Sequence, residues 1–337
     1  MDKRHGLCYT FQGVPRPGEG PHGLKESGMQ IQKTNAITQN TIWKELLKYF
    51  FPIVLGTFFQ QLYNIVDASI VGNFVGDVGL AAVGGTSTTI INLFLGFFVG
   101  LGAGATVVVA QHYGAEDADG TSRAVHTVVG ISLAAGVVMM VLGTLLGWRM
   151  LEFLGTPDDV IDQAAKYLII YFLGIESVLI FNIGSGILRA VGDSRRPLIY
   201  LAVGAVANIA MDLLFVGSFK MGVVGAAIAT LLSQVFASAL LVVRLLRVND
   251  SYRLVIKKIG FDRAVLKDAF RIGLPSGLQS MMYGISNLLI QGGINSFGTQ
   301  TMAAWSAYSK VDALFWMVIN AFGISVTTFA SQNYGAR

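Results

Sequence analysis

Five ionisable residues lie inside long apolar segments of this 337-residue chain: Asp67, Glu176, Asp212, Lys310 and Asp312. If these segments cross a bilayer, a charge near the bilayer centre costs at least ~2.5–3.5 kcal/mol on insertion scales. Each such residue is therefore expected to bind an ion or a substrate, or to find a partner of opposite charge. The two aspartates with the most similar placement, Asp67 and Asp212, are the strongest candidates.

Asp67 and Asp212 each lie about five residues before the predicted outer end of their segment, which is roughly 8 Å at 1.5 Å per residue. Asn208 precedes Asp212 by four residues and so shares its helix face. Thr230 lies about nine residues into the next segment, which runs in the opposite direction. We predict that these four side chains converge in the outer half of the membrane.

This group of residues would suit a coupling cation. Carboxylate, amide and hydroxyl oxygens are ligands for a hard cation such as Na+, and two neighbouring buried carboxyl groups can share a proton. We therefore predict a site for H+ or Na+, with no other metal and no cofactor. The alternative is that Asp67 caps a helix end or faces water outside the membrane.

Six further residues, drawn from several segments, are candidates for lining a cavity: Tyr63, Glu176, Asn182, Tyr283, Lys310 and Asp312. Lys310 and Asp312 stand two positions apart, so they point to different helix faces and each needs another partner. The alternative for these two residues is a structural salt bridge between two halves of the protein.

The elements that must position these residues are apolar helices. Of the residues, 53% are hydrophobic and 13% charged, against about 25% charged in soluble domains, which excludes an ordinary soluble enzyme. The single cysteine, Cys8, excludes a disulfide framework. The apolar runs are long enough to span a membrane and lack the period-2 alternation of barrel strands. We predict an all-α polytopic membrane protein with eight helices, at 47–72, 80–109, 122–147, 164–188, 197–217, 221–246, 264–294 and 301–330.

The loop charges predict an orientation. Arginine and lysine concentrate in alternate loops, with the largest group between residues 244 and 271. By the positive-inside rule these loops are cytoplasmic, and so is the N-terminus. Residues 1–40 are polar and lack the apolar core of a signal peptide, so we predict a disordered tail.

The chain also repeats itself at an offset of 221 to 223 residues. The sharpest match pairs Ala-Gln-His-Tyr-Gly-Ala at 110–115 with Ser-Gln-Asn-Tyr-Gly-Ala at 331–336. Because the copies start six helices apart, both cross in the same sense, as in secondary transporters that bind substrate between parallel repeats. This predicts a tail at 1–40, a six-helix N-lobe at 41–247, a basic loop at 248–263 and two helices of an incomplete C-lobe at 264–337. Four helices would be missing, so we expect a truncated chain.

From Thr41 onward the sequence resembles the multidrug and toxic compound extrusion (MATE) family. Five stretches carry the resemblance: Val-Asp-Ala-Ser-Ile-Val-Gly at 66–72, the segment at 110–115, Leu-Arg-Ala-Val-Gly-Asp at 188–193, Gly-Val-Val-Gly-Ala-Ala-Ile-Ala-Thr at 222–230 and Gln-Asn-Tyr-Gly-Ala at 332–336. The resemblance implies the two-lobe, twelve-helix fold of the MOP superfamily. It also implies export of amphipathic, often cationic, compounds in exchange for H+ or Na+.

In one branch of this family, the residues matching Asp67, Asn208, Asp212 and Thr230 form a cation site in the N-lobe. Many members of the NorM-like branch carry a glutamate where this chain has Tyr283. The chain therefore resembles the DinF-like branch more closely.

The resemblance implies a monomeric protein of the prokaryotic inner membrane whose partners are the lipid bilayer and small substrates, and not nucleic acid. One alternative is a lipid-linked oligosaccharide flippase of the same superfamily, which would need a cavity lined by several arginines or lysines. Another is an inactive, truncated transporter. An enzyme is the least favoured class, because the sequence has no metalloprotease or nucleophile-elbow motif.

Overall fold

A computed structural model of the chain describes residues 36–39, 41–295 and 299–337. The predicted tail at 1–40 falls almost entirely outside the described residues. Within those ranges all regular secondary structure is helical, which confirms the predicted all-α class. The α-helices are α1 (Ala36–Gln39), α2 (Ile42–Val75), α3 (Asp77–Gly84), α4 (Thr86–Gly114), α5 (Ala118–Phe153), α6 (Asp158–Leu173), α7 (Ile175–Ala190), α8 (Arg195–Asp212), α9 (Gly222–Arg247), α10 (Arg263–Asn295) and α11 (Thr299–Gly335).

All eight predicted helices are present, but their ends differ from the prediction. The fourth starts at Asp158 rather than residue 164 and is divided at Gly174 into α6 and α7, which bend by 50°. Its acidic first turn, with Asp158 and Asp159, lies outside the predicted bounds. Acidic residues there are favourable, because they offset the positive end of the helix dipole.

Against the eight membrane-spanning helices predicted, five helical segments of the described chain are long and apolar enough to cross a membrane, or six if the bent pair α6 and α7 is one span. They are Asp77–Gly114, Ala118–Phe153, Arg195–Ser218, Gly222–Arg247 and Asp312–Gly335. Large apolar side chains point outward from them, such as Leu145, which is 71% exposed. A surface of this kind suits lipid and not water, so the chain is a multi-pass membrane protein.

The buried apolar side chains form two large clusters. One joins α4, α5, α6 and α9 and includes Met139, Leu168 and Phe172. The other joins α4, α5, α7, α9 and α10 and includes Leu188 and Leu241. The polar residues discussed below lie beside these clusters on α2, α6, α8 and α9.

Helix α10 packs along α4 with the two backbones in direct contact. A Cβ atom on Gly100 would lie 2.7 Å from the Cα of Gly277, and one on Gly104 would lie 2.4 Å from the Cα of Gly273. Only glycine allows the two backbones to come this close. Small residues have the same role in other pairs of membrane helices. Gly100 and Gly104 therefore serve helix packing.

The two ends that the repeat pairs, at Gly114 in α4 and Gly335 in α11, touch each other reciprocally. A Cβ atom on Gly114 would lie 2.1 Å from the carbonyl oxygen of Gln332, and one on Gly335 would approach that of Gln111 even more closely. Residues 111 and 114 are the repeat partners of 332 and 335. A reciprocal contact of this kind is what a two-fold relation between copies produces.

The segment between α9 and α10 is anchored on α5. The backbone N–H of Val255 donates to Nε2 of His126 at 2.9 Å, and the N–H of Asp262 donates to the hydroxyl of Thr127 at 3.1 Å. His126 is 3% exposed and its Nδ1 faces the carbonyl oxygen of Ser122. This histidine therefore acts as a structural hydrogen-bonding residue.

Candidate cation site and adjoining cavity

Two aspartates from different helices meet inside the protein. Asp67 lies two turns before the end of α2 and is 8% exposed, and Asp212 is the last residue of α8 and is fully buried. Their carboxyl groups approach closely enough to share a hydrogen bond. Two carboxylates cannot share such a bond, so the pair needs a proton or a cation between its oxygens.

Asn208 links this carboxyl pair to α9. With its amide oriented to satisfy both ends, its NH2 group donates to Oδ2 of Asp212 at 2.9 Å and its oxygen accepts the N–H of Thr230 at 3.3 Å. The opposite orientation points the amide nitrogen at the Thr230 hydroxyl, 3.5 Å away, and sets the amide oxygen against a carboxylate that can only accept. We adopt the first orientation because a carboxylate offers no donor.

Tyrosines surround the pair on the side of α6. Tyr63, one turn before Asp67 on α2, lies beside Thr230 and within electrostatic reach of both aspartates. Tyr167 lies within electrostatic reach of both aspartates, and its ring centroid is 6.2 Å from that of Tyr171. The two α6 tyrosines were not among the predicted site residues. Their spacing of four residues was the available signal, since it places both hydroxyls on one helix face.

No basic side chain neutralises the two aspartates within the described chain. The ion pairs found there are Lys48–Glu45, His112–Asp117 and Arg196–Asp193, all remote from this site. One oxygen of each carboxyl, Oδ1 of Asp67 and Oδ1 of Asp212, is buried without a hydrogen-bond partner. Leaving such acceptors unpaired is unfavourable, so the geometry suits an additional cationic ligand.

A backbone irregularity begins immediately after Asp212. Residues Leu213–Ser218 form a π-helical segment, in which the N–H of Phe219 donates to the carbonyl oxygen of Leu214 at 2.8 Å. π-helical turns occur often at functional sites because they redirect side chains within a helix. Nothing in the sequence of this segment indicated it.

The site opens onto a cavity of about 560 Å³ that follows α2 from Pro52 to Ala68, roughly 24 Å at 1.5 Å per residue. Asp67, Thr230, Tyr63 and Asn182 line it, whereas Asp212 and Asn208 lie behind this first layer. Cavities of about 300–1,000 Å³ hold drug-sized ligands.

The other predicted lining residues lie elsewhere. Glu176 faces α5 beside Gly136, whose lack of a side chain makes room for its carboxylate. Tyr283 is 54% exposed, with its ring edge-on to Trp316. Asp312 accepts from the hydroxyl of Tyr308 at 3.2 Å. The side chain of Lys310 lies outside the described residues.

Known proteins resemble the chain in both sequence and fold. The MatE family model matches residues 52–214. The probable multidrug resistance protein YpnP of Bacillus subtilis is 29% identical over 303 residues, which cover 90% of this chain and 67% of that protein. The multidrug export protein MepA of Staphylococcus aureus (strain COL) is 22% identical over 308 residues, which cover 91% and 68%.

Solved structures extend this similarity to the fold. A multidrug resistance MATE family transporter of the MOP superfamily, in an outward-facing conformation, superposes with a TM-score of 0.83 at 26% identity, covering 90% of this chain and 67% of that one. A MATE protein in a straight conformation gives 0.82 at 27% identity, covering 90% and 68%. The chain spans about two thirds of the length of these proteins. The predicted MATE-like fold is therefore confirmed, and in sequence and fold the chain is similar to MATE multidrug transporters.

Proposed function

We propose that this protein is a secondary active multidrug efflux antiporter, which exports amphipathic or cationic compounds in exchange for H+ or Na+ by alternating access. The observation that carries the proposal is the buried pair Asp67 and Asp212, which has no basic partner among the described residues and borders a drug-sized cavity. The similarity to YpnP and MepA, which are named as multidrug proteins, supports the same function.

The coupling follows from charge. A buried carboxyl pair stays in a poorly polar environment only when a cation or proton offsets its charge. A cationic substrate near Asp67 and a coupling ion at the pair therefore compete for the same negative charge. Entry of the ion from one side would release the substrate to that side, which is exchange.

The hydrogen bonds favour H+ over Na+ as the coupling ion. The oxygen of Asn208 accepts from Thr230, and its amide donates to Asp212, so that oxygen is turned away from the carboxyl pair. A shared carboxyl hydrogen bond needs a proton, whereas Na+ needs several oxygen ligands facing it. Na+ would require Asn208 to reorient.

The protein would be a monomer in the prokaryotic inner membrane with its N-terminus in the cytoplasm, of the DinF-like branch, without a cofactor and without enzymatic activity. The described lining residues of the cavity include one basic residue, Arg189. A flippase for pyrophosphate-linked sugars would need several, so the lining does not favour that function.

The test is efflux of a cationic dye from cells that express the protein, together with uptake by everted vesicles. Asp212→Asn is expected to abolish efflux at unchanged membrane abundance, since the pair then has one carboxyl. The matched control is Asp77→Asn, at an exposed aspartate in the first turn of α3, which should behave as the unmodified protein. Undiminished efflux by Asp212→Asn would overturn the proposal.

The same vesicles identify the ion. Collapse of the pH gradient with an ionophore should stop dye uptake if H+ is exchanged, and removal of Na+ should leave it unchanged. The reverse result would assign Na+ and contradict the preference for H+.

A further inference from the structure

The cavity carries opposite charges at its two ends. Asp67 lies near one end, and Arg189, the penultimate residue of α7, lines the other. The phenol of Tyr49, at the start of α2, donates to the backbone oxygen of Arg189 at 2.8 Å. Asp67 lies eighteen positions beyond Tyr49 on the same helix, roughly 27 Å at 1.5 Å per residue.

The Arg189 end is polar on one face of α7. Asn182, Ser185 and Arg189 are spaced three and four residues apart, which places them on one side of the helix, and all three line the cavity. The hydroxyl of Ser185 is buried, at 2% exposure, and has no hydrogen-bond partner among the described residues. An unpartnered buried hydroxyl indicates room for a ligand that accepts or donates there.

Arg189 also has no partner in the described structure that would hold its charge. None of the ion pairs found there involves it. The neighbouring phenol of Tyr49 is neutral, and the carboxylate of Asp193, which also lies near that phenol, is paired with Arg196. A partly buried guanidinium without a carboxylate is costly, and it is compensated by an anionic ligand.

From this geometry we propose that Arg189, together with Ser185, forms an anion subsite that binds the carboxylate of zwitterionic amphiphiles in the cavity. The inference rests on the proposed function and names its substrate class: amphiphiles that carry a carboxylate in addition to a cationic group. Because the ends lie about 27 Å apart along α2, a small zwitterion does not span them. Arg189 therefore contributes to binding independently of the coupling pair.

The test compares two dyes that differ in this one charge, rhodamine B, which has a free carboxylate, and its ethyl ester. Binding to the purified protein is measured by fluorescence anisotropy, which requires no ion gradient. Arg189→Gln should weaken rhodamine B binding about ten- to hundredfold, the range for losing a hydrogen bond to a charged group. Binding of the ester should change less than threefold.

Three variants complete the test. Arg195→Gln, at an exposed residue of the first turn of α8, should bind both dyes as the unmodified protein does. Arg189→Lys should restore much of the rhodamine B affinity, because it keeps the positive charge, and Ser185→Ala should weaken only rhodamine B. These two variants keep the inference testable if Arg189→Gln does not fold.

Equal loss of both dyes in Arg189→Gln, with normal expression and thermal stability, would overturn the subsite. So would unchanged binding of rhodamine B. If dye exchange with ions fails while the carboxylate-dependent binding persists, the proposed antiport is wrong and the anion subsite stands.

Discussion

The reciprocal contact between the ends of α4 and α11 predicts how a single methyl group would shift the proposed alternating-access equilibrium. Gly114→Ala would place a Cβ atom 2.1 Å from the carbonyl oxygen of Gln332. Real Cβ atoms do not approach backbone oxygens so closely, so the two ends must separate. Overpacking of this kind costs about 1–3 kcal/mol. If this cost destabilises only the state in which the two ends touch, the population of the state with separated ends rises roughly 5- to 150-fold relative to it.

Gly335, the repeat partner of Gly114, provides a second test of this contact. Gly335→Ala places a Cβ atom against the carbonyl oxygen of Gln111, so its effect should match that of Gly114→Ala in direction and size. The control is Gly323→Ala, because a Cβ atom there meets nothing within 4 Å. This control lies on the same helix as Gly335 and should leave the contact closed.

The assay is the labelling rate of a cysteine introduced at Ser331, which directly precedes Gln332 and is 7% exposed. In a background with Cys8 replaced by serine, a membrane-impermeant maleimide should react slowly with the unmodified contact. Gly114→Ala and Gly335→Ala should each raise the labelling rate by roughly 5- to 150-fold. Equal labelling in Gly114→Ala and Gly323→Ala, with both proteins folded, would refute the prediction that a Cβ atom at residue 114 separates the two helix ends.

Three further predictions follow from the packing and the loops. Gly104→Leu should prevent α4 and α10 from packing and lower the Tm or abolish expression; an unchanged Tm by fluorescence-detected gel filtration would contradict the close approach. His126→Ala removes the acceptor of the Val255 N–H, a loss of about 1 kcal/mol, so trypsin should cut the segment between α9 and α10 faster than in the unmodified protein. The backbone N–H of Gly120 donates to the Asp117 carboxylate at 2.8 Å and holds the pKa of Asp117 below its usual range. The stabilisation that the ionised Asp117 carboxylate contributes is therefore present above about pH 4 and lost as the pH falls through the lowered pKa. Asp117→Asn should flatten the acid side of a Tm–pH profile. An unchanged slope would show that this helix cap does not cause the loss of stability in acid.

The positions of the helices were predictable because the energetic rule in a membrane is simple. A charged residue in the bilayer is costly, so charge-free runs mark the buried stretches. The rule failed where charges are favourable, as at Asp158 and Asp159 in the first turn of α6. It also failed at Gly174, where the helix bends beside Leu231 of a distant helix: a Cβ atom on Gly174 would lie 2.7 Å from that side chain.

The candidate site was predictable in part for the same reason. The sequence analysis named Asp67, Asn208, Asp212 and Thr230 from depth and helix spacing alone, and the structure brings these four together. It could not assign Glu176, which shares their polar character but faces α5. Depth along a helix follows from residue number, whereas the direction a side chain faces depends on which helix packs beside it.

The sequence by itself therefore determined that this chain is a membrane protein, roughly where its helices lie, and which residues were too costly in lipid to be there without a role. Only the tertiary structure decided the orientation of Asn208 between Asp212 and Thr230, the presence of Tyr167 beside the carboxyl pair and the position of Arg189 at the far end of the cavity. The physical reason is that hydropathy and helix spacing are local properties of the chain. A hydrogen bond, a cavity wall or an uncompensated charge arises only when residues far apart in sequence are packed side by side.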